Sequence, residues 1–231
     1  MSATLLLYLG LGLALSLILL YWEFILCEGA HLGPRVVVWF YDRAAHRYDE
    51  QIKKFDPALE DDFLGLPLAM LLLDRSAPRV LDVAAGTGRV ARTLLRQTAF
   101  DGTLFSLELG AHMIRHGQGA TALWPGRHAW LRGPADRLPF PDNTFEMVTC
   151  VEALEFLPDA RAVLAECRRV LKPGGWLVTT NRVGLPAAFI LGKTRSRPAF
   201  LQLLESLPLA SVQVEPWQVE YDLARGKKTD A

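Results

Sequence analysis

An uncharged, apolar run at the N-terminus places the strongest limit on how this chain folds. It extends from Thr4 to Trp22, nineteen residues of which most are leucine. As a helix it would be roughly 28 Å long, close to the roughly 30 Å of a hydrocarbon core. Tyr21 and Trp22 end the run with the aromatic pair typical of a membrane interface. Because a helix that is apolar on every face rarely suits a small soluble domain, residues 4–22 are predicted to be a transmembrane anchor.

A cleaved signal peptide is the main alternative to an anchor. No Lys or Arg precedes the run, the run is longer than an ordinary signal-peptide core, and no A-x-A cleavage site follows it. Basic residues occur only after the run, at Arg35, Arg43, Arg47, Lys53 and Lys54. The positive-inside rule therefore predicts that the chain is a single-pass membrane protein with its C-terminal part on the cytoplasmic side.

Residues 35–78 are predicted to form a helical lid or cap. From Arg35 to Phe55, apolar and charged residues are mixed at roughly helical spacing. Val36–Val38 alone would also suit a strand, but the longer pattern favours a helix. Asp56-Pro57 is a typical helix start, and a second apolar helix is predicted from about residue 67 to residue 73.

From Arg79 onward, short apolar runs alternate with helical stretches, and residues 79–225 are predicted to form one domain. Strands are predicted at RVLDVA, TLFSLEL, HAWLRG, FEMVTCV and WLVTTN. Alternation with short connections predicts an α/β fold, a doubly wound and mostly parallel sheet with helices on both faces. The tail predicts a helix at about 198–207 and a terminal hairpin from SVQVEPW and QVEYDLA. The basic clusters GKTRSR and RGKK are predicted to be solvated loops or contacts with lipid headgroups.

The first strand leads into LDVAAGTGRVA, a loop suited to binding a ligand at the carboxyl edge of the sheet. Gly86 and Gly88 lack side chains, so a ligand can approach the backbone closely. Glu108 ends the second strand, where a carboxylate can accept hydrogen bonds from both hydroxyls of a ribose. On spacing alone, GTGRVA also fits the dinucleotide fingerprint, which leaves an NAD-dependent oxidoreductase as an alternative. Asp82 argues against that alternative, because dinucleotide sites prefer a small or apolar residue there.

Four blocks of sequence occur in an order that resembles the class I, type 11 methyltransferase family: LDVAAGTGRVA, LFSLELGAHMI, DRLPFPDNTFEMVTCVEALEFLPD and AECRRVLKPGGWLVTTN. The resemblance runs from about Val80 to Asn181. It implies a Rossmann-like, seven-stranded domain, S-adenosylmethionine as the cofactor, and methyl transfer as the reaction. The NAD-dependent alternative gives no role to LPFPDNTFE or LKPGGWL. A non-catalytic module that binds S-adenosylmethionine remains a second alternative.

The resemblance also implies ten cofactor-binding positions: Asp82, Ala84, Gly86 and Gly88 at the methionine portion, Glu108 at the ribose, Leu109, Ala135 and Asp136 at the adenine, Val151 beneath the sulfonium, and Tyr48 closing over the cofactor. The chain departs from the family pattern twice. Ala84 stands where many members have the first glycine. Pro134 stands where an acid often binds the adenine amino group, and Asp136 is the expected substitute.

A general base is needed only if the methyl acceptor must lose a proton. Glu152, Glu155 and His46 are the candidates by location, with a surface or capping role as the alternative for each. His112 and His116 have helical i,i+4 spacing but no evident third ligand, so no metal site is predicted. The three cysteines, without a C-x-x-C spacing, indicate neither a disulfide framework nor a zinc site.

The acceptor is expected to be a small or lipid-like molecule, since the anchor would hold the active site beside the membrane. A soluble metabolite is the alternative. The formal net charge is zero, with 25 basic and 25 acidic residues, so no nucleic-acid partner is expected. The predicted partner of residues 4–22 is the lipid bilayer.

Overall fold

The structure, a computed structural model, describes residues 2–52 and 54–229. Lys53, which counted toward the predicted orientation, lies outside the described residues. The strands are β1 (Arg79–Val83), β2 (Thr103–Glu108), β3 (His128–Arg132), β4 (Phe145–Cys150), β5 (Leu171–Arg182), β6 (Leu209–Trp217) and β7 (Tyr221–Lys228). The α-helices are α1 (Ala3–Tyr21), α2 (Pro34–Arg47), α3 (Pro57–Glu60), α4 (Leu66–Met70), α5 (Arg89–Leu94), α6 (Ala111–Ala120), α7 (Ala160–Val170), α8 (Gly184–Phe189) and α9 (Arg197–Glu205).

The described residues form one seven-stranded sheet in the order β3-β2-β1-β4-β5-β7-β6. The first five strands pair in parallel, and β7 runs antiparallel to both β5 and β6. This confirms the α/β, doubly wound and mostly parallel fold, with the terminal hairpin at one edge. The strand order reverses between β1 and β4. In open α/β sheets, ligands bind at such a reversal, beyond the carboxyl ends of the strands.

Apolar side chains cover both faces of the sheet. Leu81 and Val83 of β1 pack into one cluster with Phe145 and Phe200, while Val80 packs into the cluster on the opposite face. This alternation explains why the parallel strands read as nearly continuous apolar runs rather than as strict polar–apolar repeats. Two buried faces fix the carboxyl edge of the sheet as a rigid platform for a site.

The C-terminal part differs from the sequence prediction in two places. The predicted turn at Lys172–Gly175 lies inside β5, between the pairs Leu171–Phe145 and Trp176–Met147, where the register shifts. The RGKK cluster is not a loop, because it forms the end of β7 and pairs with β5. β7 ends at Lys228, three residues past the predicted boundary at 225, and the Lys228 ammonium donates to the carbonyl oxygen of Leu171 at 2.8 Å. The backbone of this cluster pairs with its neighbouring strands while the basic side chains stay partly exposed, so a strand and a solvated face are compatible here.

The N-terminal segment is one long apolar helix. A wider π-helical turn, Trp22–Leu26, continues α1, and the whole segment Ala3–Leu26 has a mean hydropathy of 2.4 over its most apolar window. α1 has no buried residue. By length and composition this helix is able to cross a membrane, and it ends four residues beyond the predicted Trp22.

The helix predicted over Val36–Val38 is confirmed as part of α2. A π-helical turn, Tyr48–Ile52, follows α2. Val37, Tyr41 and Tyr48 lie on the face turned toward the carboxyl edge of the sheet, and Arg43 is exposed on the opposite face. This amphipathic arrangement places α2 over the site. Asp56 caps α3 as predicted, accepting hydrogen bonds from the backbone of Ala58 and Leu59.

Candidate cofactor site

The loop between β1 and α5 is a tight turn at the point where the strand order reverses. Ala84, Gly86 and Gly88 have left-handed backbones, with φ of 56°, 56° and 83°. A Cβ on Gly86 would meet no atom within 4 Å, whereas a Cβ on Gly88 would meet the Trp130 ring at 3.0 Å. Gly86 therefore leaves open space for a ligand. At position 88 a glycine is needed, because the backbone is left-handed and a side chain would collide with the Trp130 ring.

Glu108, at the end of β2, turns its carboxylate onto this loop. Its Oε2 accepts a hydrogen bond from Gly86 N at 2.9 Å. Its Oε1 accepts from Leu109 N at 2.8 Å and from Gly110 N at 2.7 Å. Burial raises the pKa of Glu108, while the three backbone donors lower it. A carboxylate has about four lone-pair positions, so this one is held rigidly and keeps capacity for a ligand hydroxyl.

Asp82 is the second carboxylate at the loop, and it is almost fully buried at 2% exposure. Thr149 of β4 donates to its Oδ1 at 2.7 Å. Burial raises the pKa of Asp82 from 3.8 to about 7, opposed by the Thr149 hydrogen bond, raised further by Glu108 and lowered by Arg89. A buried carboxylate of this kind favours a cationic ligand group, which would restore its ionised form.

Two adjoining cavities lie under α2, and both are bordered by Tyr48, Ala84, Gly86 and Glu152. The first contains most of the positions that the sequence predicted for the cofactor: Tyr48, Ala84, Gly86, Glu108, Leu109, Ala135 and Asp136. The second adds Asp82 and Val151. The fold thus brings nine of the ten predicted positions to these two adjoining cavities. Gly88, the tenth, instead packs against Trp130.

Two carboxylates hold the lid helix α2 and its π-helical turn over this space. Asp42 accepts hydrogen bonds from the backbone N–H groups of His112 and Met113 at the start of α6, at 2.9 and 3.3 Å. Asp49 accepts from both terminal nitrogens of Arg92, at 2.9 and 3.0 Å, and from the hydroxyl of Thr87 at 2.6 Å. The lid is therefore attached to the cofactor loop by specific polar contacts.

Arg89 is a functional candidate that the sequence analysis did not single out. Its guanidinium donates to Glu60 at 2.7 Å and to Glu152 at 2.5 Å, and it lies 5.3 Å from the centre of the Trp217 ring. Burial lowers the pKa of Arg89, but the two carboxylates outweigh that effect and raise it. Arg89 directly follows Gly88, so its position next to the cofactor loop in the sequence could have marked it as a candidate.

The three candidate bases occupy different surroundings. Glu152 borders both cavities, with a left-handed backbone at φ 53°. Glu155 is buried beneath the site, where burial raises its pKa and Tyr221 donates to it at 2.9 Å.

His46 is exposed and faces away from both cavities, because it lies five residues beyond Tyr41, about 140° around the helix. It borders an open groove together with His112 and His116. His116 Nε2 lies 3.6 Å from an oxygen of Asp49. Of the three base candidates, Glu152 is the one that reaches the predicted cofactor space.

Comparison with protein families identifies the central part of the chain. Residues 81–179 match the model of the methyltransferase domain family Methyltransf_11. They form a methyltransferase domain of this family. The match spans the cofactor loop, Glu108 and the Glu152 segment, and it confirms the type 11 resemblance. S-adenosylmethionine is the cofactor that a methyltransferase domain of this type implies.

The domain is also similar to two quinone methyltransferases. The chain is 34% identical over 146 residues to the demethylmenaquinone methyltransferase of Thermotoga maritima, covering 60% of this chain and 58% of that protein. It is 39% identical over 99 residues to the ubiquinone/menaquinone biosynthesis C-methyltransferase UbiE of Geobacter sulfurreducens, covering 42% and 39%. The matched regions therefore span between 39% and 58% of these two relatives' length.

The fold resembles a solved S-adenosylmethionine-dependent methyltransferase from Aquifex aeolicus, with a TM-score of 0.56 at 18% identity. That likeness covers 74% of this chain and 98% of the other. The residues of the site fit the cofactor. An adenosyl sulfonium with an amino-acid tail needs an acceptor for the ribose hydroxyls, an anion for the ammonium, and room beside the backbone. Glu108, Asp82 and Gly86 offer these three features at one edge of the sheet.

Proposed function

We propose that this chain is a membrane-anchored enzyme that transfers a methyl group from S-adenosylmethionine to a lipid-like acceptor of the quinone type. One observation carries the proposal. The Glu108 carboxylate is turned onto the Gly86 backbone, beside buried Asp82, in a cavity closed by the lid helix. The family match of residues 81–179 supports the same reaction.

Each end of the cofactor has a matching group in this proposal. Glu108 accepts a hydrogen bond from a ribose hydroxyl through its remaining lone-pair position, and Leu109 and Ala135 pack against the adenine. Asp136, exposed at the rim of the cavity, binds the adenine edge. Asp82 takes the ammonium of the methionine portion, with Gly86 leaving room beside the backbone. The remaining members of the proposed binding set are Tyr48, Ala84, Gly88 and Val151.

S-adenosylmethionine supplies an activated methyl group on a sulfonium carbon. Alignment of the acceptor and exclusion of water then provide most of the acceleration. The lid contacts of Asp42 and Asp49 serve that purpose by holding α2 over the cavities. Glu152 is the proposed base for an acceptor that must lose a proton, because it borders both cavities.

Two features support a lipid-like acceptor. The cavity wall beyond the cofactor positions is largely apolar, with Val37, Val38, Phe156 and Leu157. The relatives from T. maritima and G. sulfurreducens are named as methyltransferases of menaquinone or ubiquinone synthesis. Ala3–Leu26 would hold this cavity beside the bilayer, from which an apolar acceptor could enter without crossing water.

The proposed orientation has the methyltransferase domain on the cytoplasmic side. The basic residues near the helix lie after it, with Arg35, Arg43 and Arg47 all on α2. A cysteine tag after residue 229 should react with an impermeant reagent in inverted vesicles and stay protected in intact cells; the reverse pattern contradicts the orientation.

The cofactor assignment is tested by calorimetry on the full-length protein in detergent. The parent should bind S-adenosylmethionine, and Glu108→Ala and Asp82→Ala should each lose about 1.5–3 kcal/mol of binding free energy, the scale of a removed charged hydrogen-bond partner. Glu205→Ala, at an exposed position on α9, is the matched control and should bind as the parent does. Parent-like binding by both site variants, with their folding intact, would contradict the assignment.

The acceptor is tested with donor labelled on its methyl group and a bacterial membrane extract. Label should enter the organic phase, and a purified demethylated quinol should accept it. Glu152→Gln should reduce turnover by a larger factor than it weakens donor binding, since the proposed role of the residue is to act on the acceptor. Label found only in water-soluble products would instead support a soluble metabolite as acceptor.

A further inference from the structure

A cluster of three side chains able to bind a metal ion lies outside the methyltransferase site, where the proposed membrane helix meets the domain. Glu23, Cys27 and His31 follow one another at intervals of four residues, across the end of the apolar helix. Each offers one ligand atom, and the three atoms lie within 4.8 Å of one another. Carboxylate, thiolate and imidazole together form a ligand set that suits zinc.

Two of the three residues are removed from solvent, and the third is partly accessible. Cys27 is 0% exposed and Glu23 is 8% exposed, while the His31 side chain keeps 25% of its surface. Cys27 packs with Ala30 and Ile190 in a small apolar cluster. Glu23 and Cys27 are thus buried beside a partly accessible imidazole, which leaves one open side from which a cation could reach the three ligand atoms.

The ligand atoms are also held in position by the surrounding backbone. Glu23 Oε1 accepts from His31 N at 3.1 Å, which leaves Oε2 facing His31 Nδ1 at 2.9 Å. His31 Nε2 lies 2.9 Å from the carbonyl oxygen of Leu191. A backbone carbonyl on the far ring nitrogen is the arrangement that orients a metal-binding histidine. Trp22 stacks on the imidazole at 5.1 Å and restricts its rotation further.

We propose that Glu23, Cys27 and His31 bind a zinc-class divalent cation that fastens the membrane helix to the methyltransferase domain. Around a tetrahedral zinc ion, ligand atoms are about 3.4–3.6 Å apart, so side-chain movements of about 1 Å complete the set. The thiol proton leaves to solvent as the sulfur–metal bond forms. The carbonyl oxygen of Phe189, 3.1 Å from Cys27 Sγ, is a candidate for the fourth ligand, with water as the other.

The site would connect two parts of the chain that are distant in sequence. Cys27 and His31 contact the carbonyl groups of Phe189 and Leu191, at the end of α8 and just beyond it. Phe156, which borders the proposed cofactor cavity, packs against the same small cluster. A bound cation would therefore fix the membrane helix against the wall of the cavity. This inference does not depend on the proposed methyl transfer.

The test uses the full-length protein in detergent, stripped with a chelator and titrated with zinc alone and with cobalt alone. One equivalent should bind, with proton release, and the cobalt form should show a thiolate-to-cobalt charge-transfer band. Zinc should also raise the melting temperature of the parent. Cys27→Ser should abolish the band and weaken zinc binding at least about tenfold, and His31→Ala should weaken it to a similar degree.

His116→Ala is the matched control, because His116 also lies beside a carboxylate, Asp49, but outside the cluster. It should bind zinc as the parent does. The cobalt band is read on the parent itself, so an unfolded variant cannot hide the answer. Absence of the band, or parent-like affinity in Cys27→Ser, would show that Glu23 and His31 form only an ion pair, and the proposal would fail.

Discussion

The two N-terminal helices, α1 and α2, show how differently an apolar helix can be used. α1 is apolar on every face and buries none of its residues in the protein. α2 is amphipathic, buries one face over the cofactor loop, and is fastened there by Asp42 and Asp49, the latter on the π-helical turn that follows it. By length and composition α1 is able to cross a membrane, and the bilayer is its partner in the proposed function, whereas α2 is stabilised by a few specific contacts within the protein. Changes to α1 should therefore affect where the protein resides, and changes to α2 should affect its stability and its binding.

The largest effect is expected from charges placed in α1. Leu11→Arg combined with Leu15→Arg should cost about 2.5–3.5 kcal/mol for each arginine near the centre of a bilayer. The variant should leave the membrane pellet under an alkaline carbonate wash. The melting temperature of the domain should not change, because α1 makes no buried contact. Leu11→Ile with Leu15→Ile is the control that keeps the helix apolar, and equal retention of both variants would contradict a spanning helix.

The lid contact at Asp49 should give the next largest effect. Asp49→Ala leaves the Arg92 guanidinium and the Thr87 hydroxyl without their main acceptor, and should lower the free energy of unfolding by about 1.5–3 kcal/mol. Chemical denaturation measures the loss, which should be accompanied by weaker binding of S-adenosylmethionine. Glu50→Ala, one residue further and exposed, should have little effect. If the two variants behave alike, the lid is not held by this contact.

The affinity for S-adenosylmethionine should depend on pH, whereas the retention of the chain in the membrane should not. The pKa of Asp82 is raised to about 7, so its carboxylate is mostly protonated below that pH and ionises above it. Affinity for the cationic donor should therefore rise roughly five- to tenfold from about pH 6 to about pH 7.5. Calorimetry should detect proton release at the lower pH. Asp82→Asn should make the affinity independent of pH in this range.

The membrane retention of the chain should not vary over the same range, since α1 has no charged side chain. Retention that follows the titration of Asp82 would mean that the two regions are coupled.

The smallest effect is expected at the other lid contact. Asp42 accepts from two backbone N–H groups at the start of α6 and so acts as its N-terminal cap. Asp42→Ala should cost about 1 kcal/mol of stability, measured by thermal unfolding. Asp42→Asn keeps an oxygen acceptor and should recover most of the loss. An equal loss in both variants would indicate that the charge, rather than the cap, provides the stabilisation.

Local patterns determined much of this protein. The nineteen uncharged residues predicted the long apolar helix, and the alternation after Arg79 predicted the parallel sheet with its terminal hairpin. The Gly86 loop and Glu108 were recognised as neighbours because the carboxyl ends of adjacent parallel strands meet at one edge. These features depend on periodicity and strand order, which the sequence contains directly.

Long-range contacts decided the rest. The basic residues of RGKK lie in β7 because their backbone pairs with β5 and β6, a long-range contact that leaves their side chains partly exposed. His46 faces outward and Glu152 inward because the tertiary packing selects which side of each element meets the cavity. Arg89 joins Glu60 to Glu152 across 29 and 63 residues, and His31 reaches the carbonyl group of Leu191 across 160. No local pattern contains such pairings, because their energy arises only when the folded chain brings distant groups together and removes water from between them.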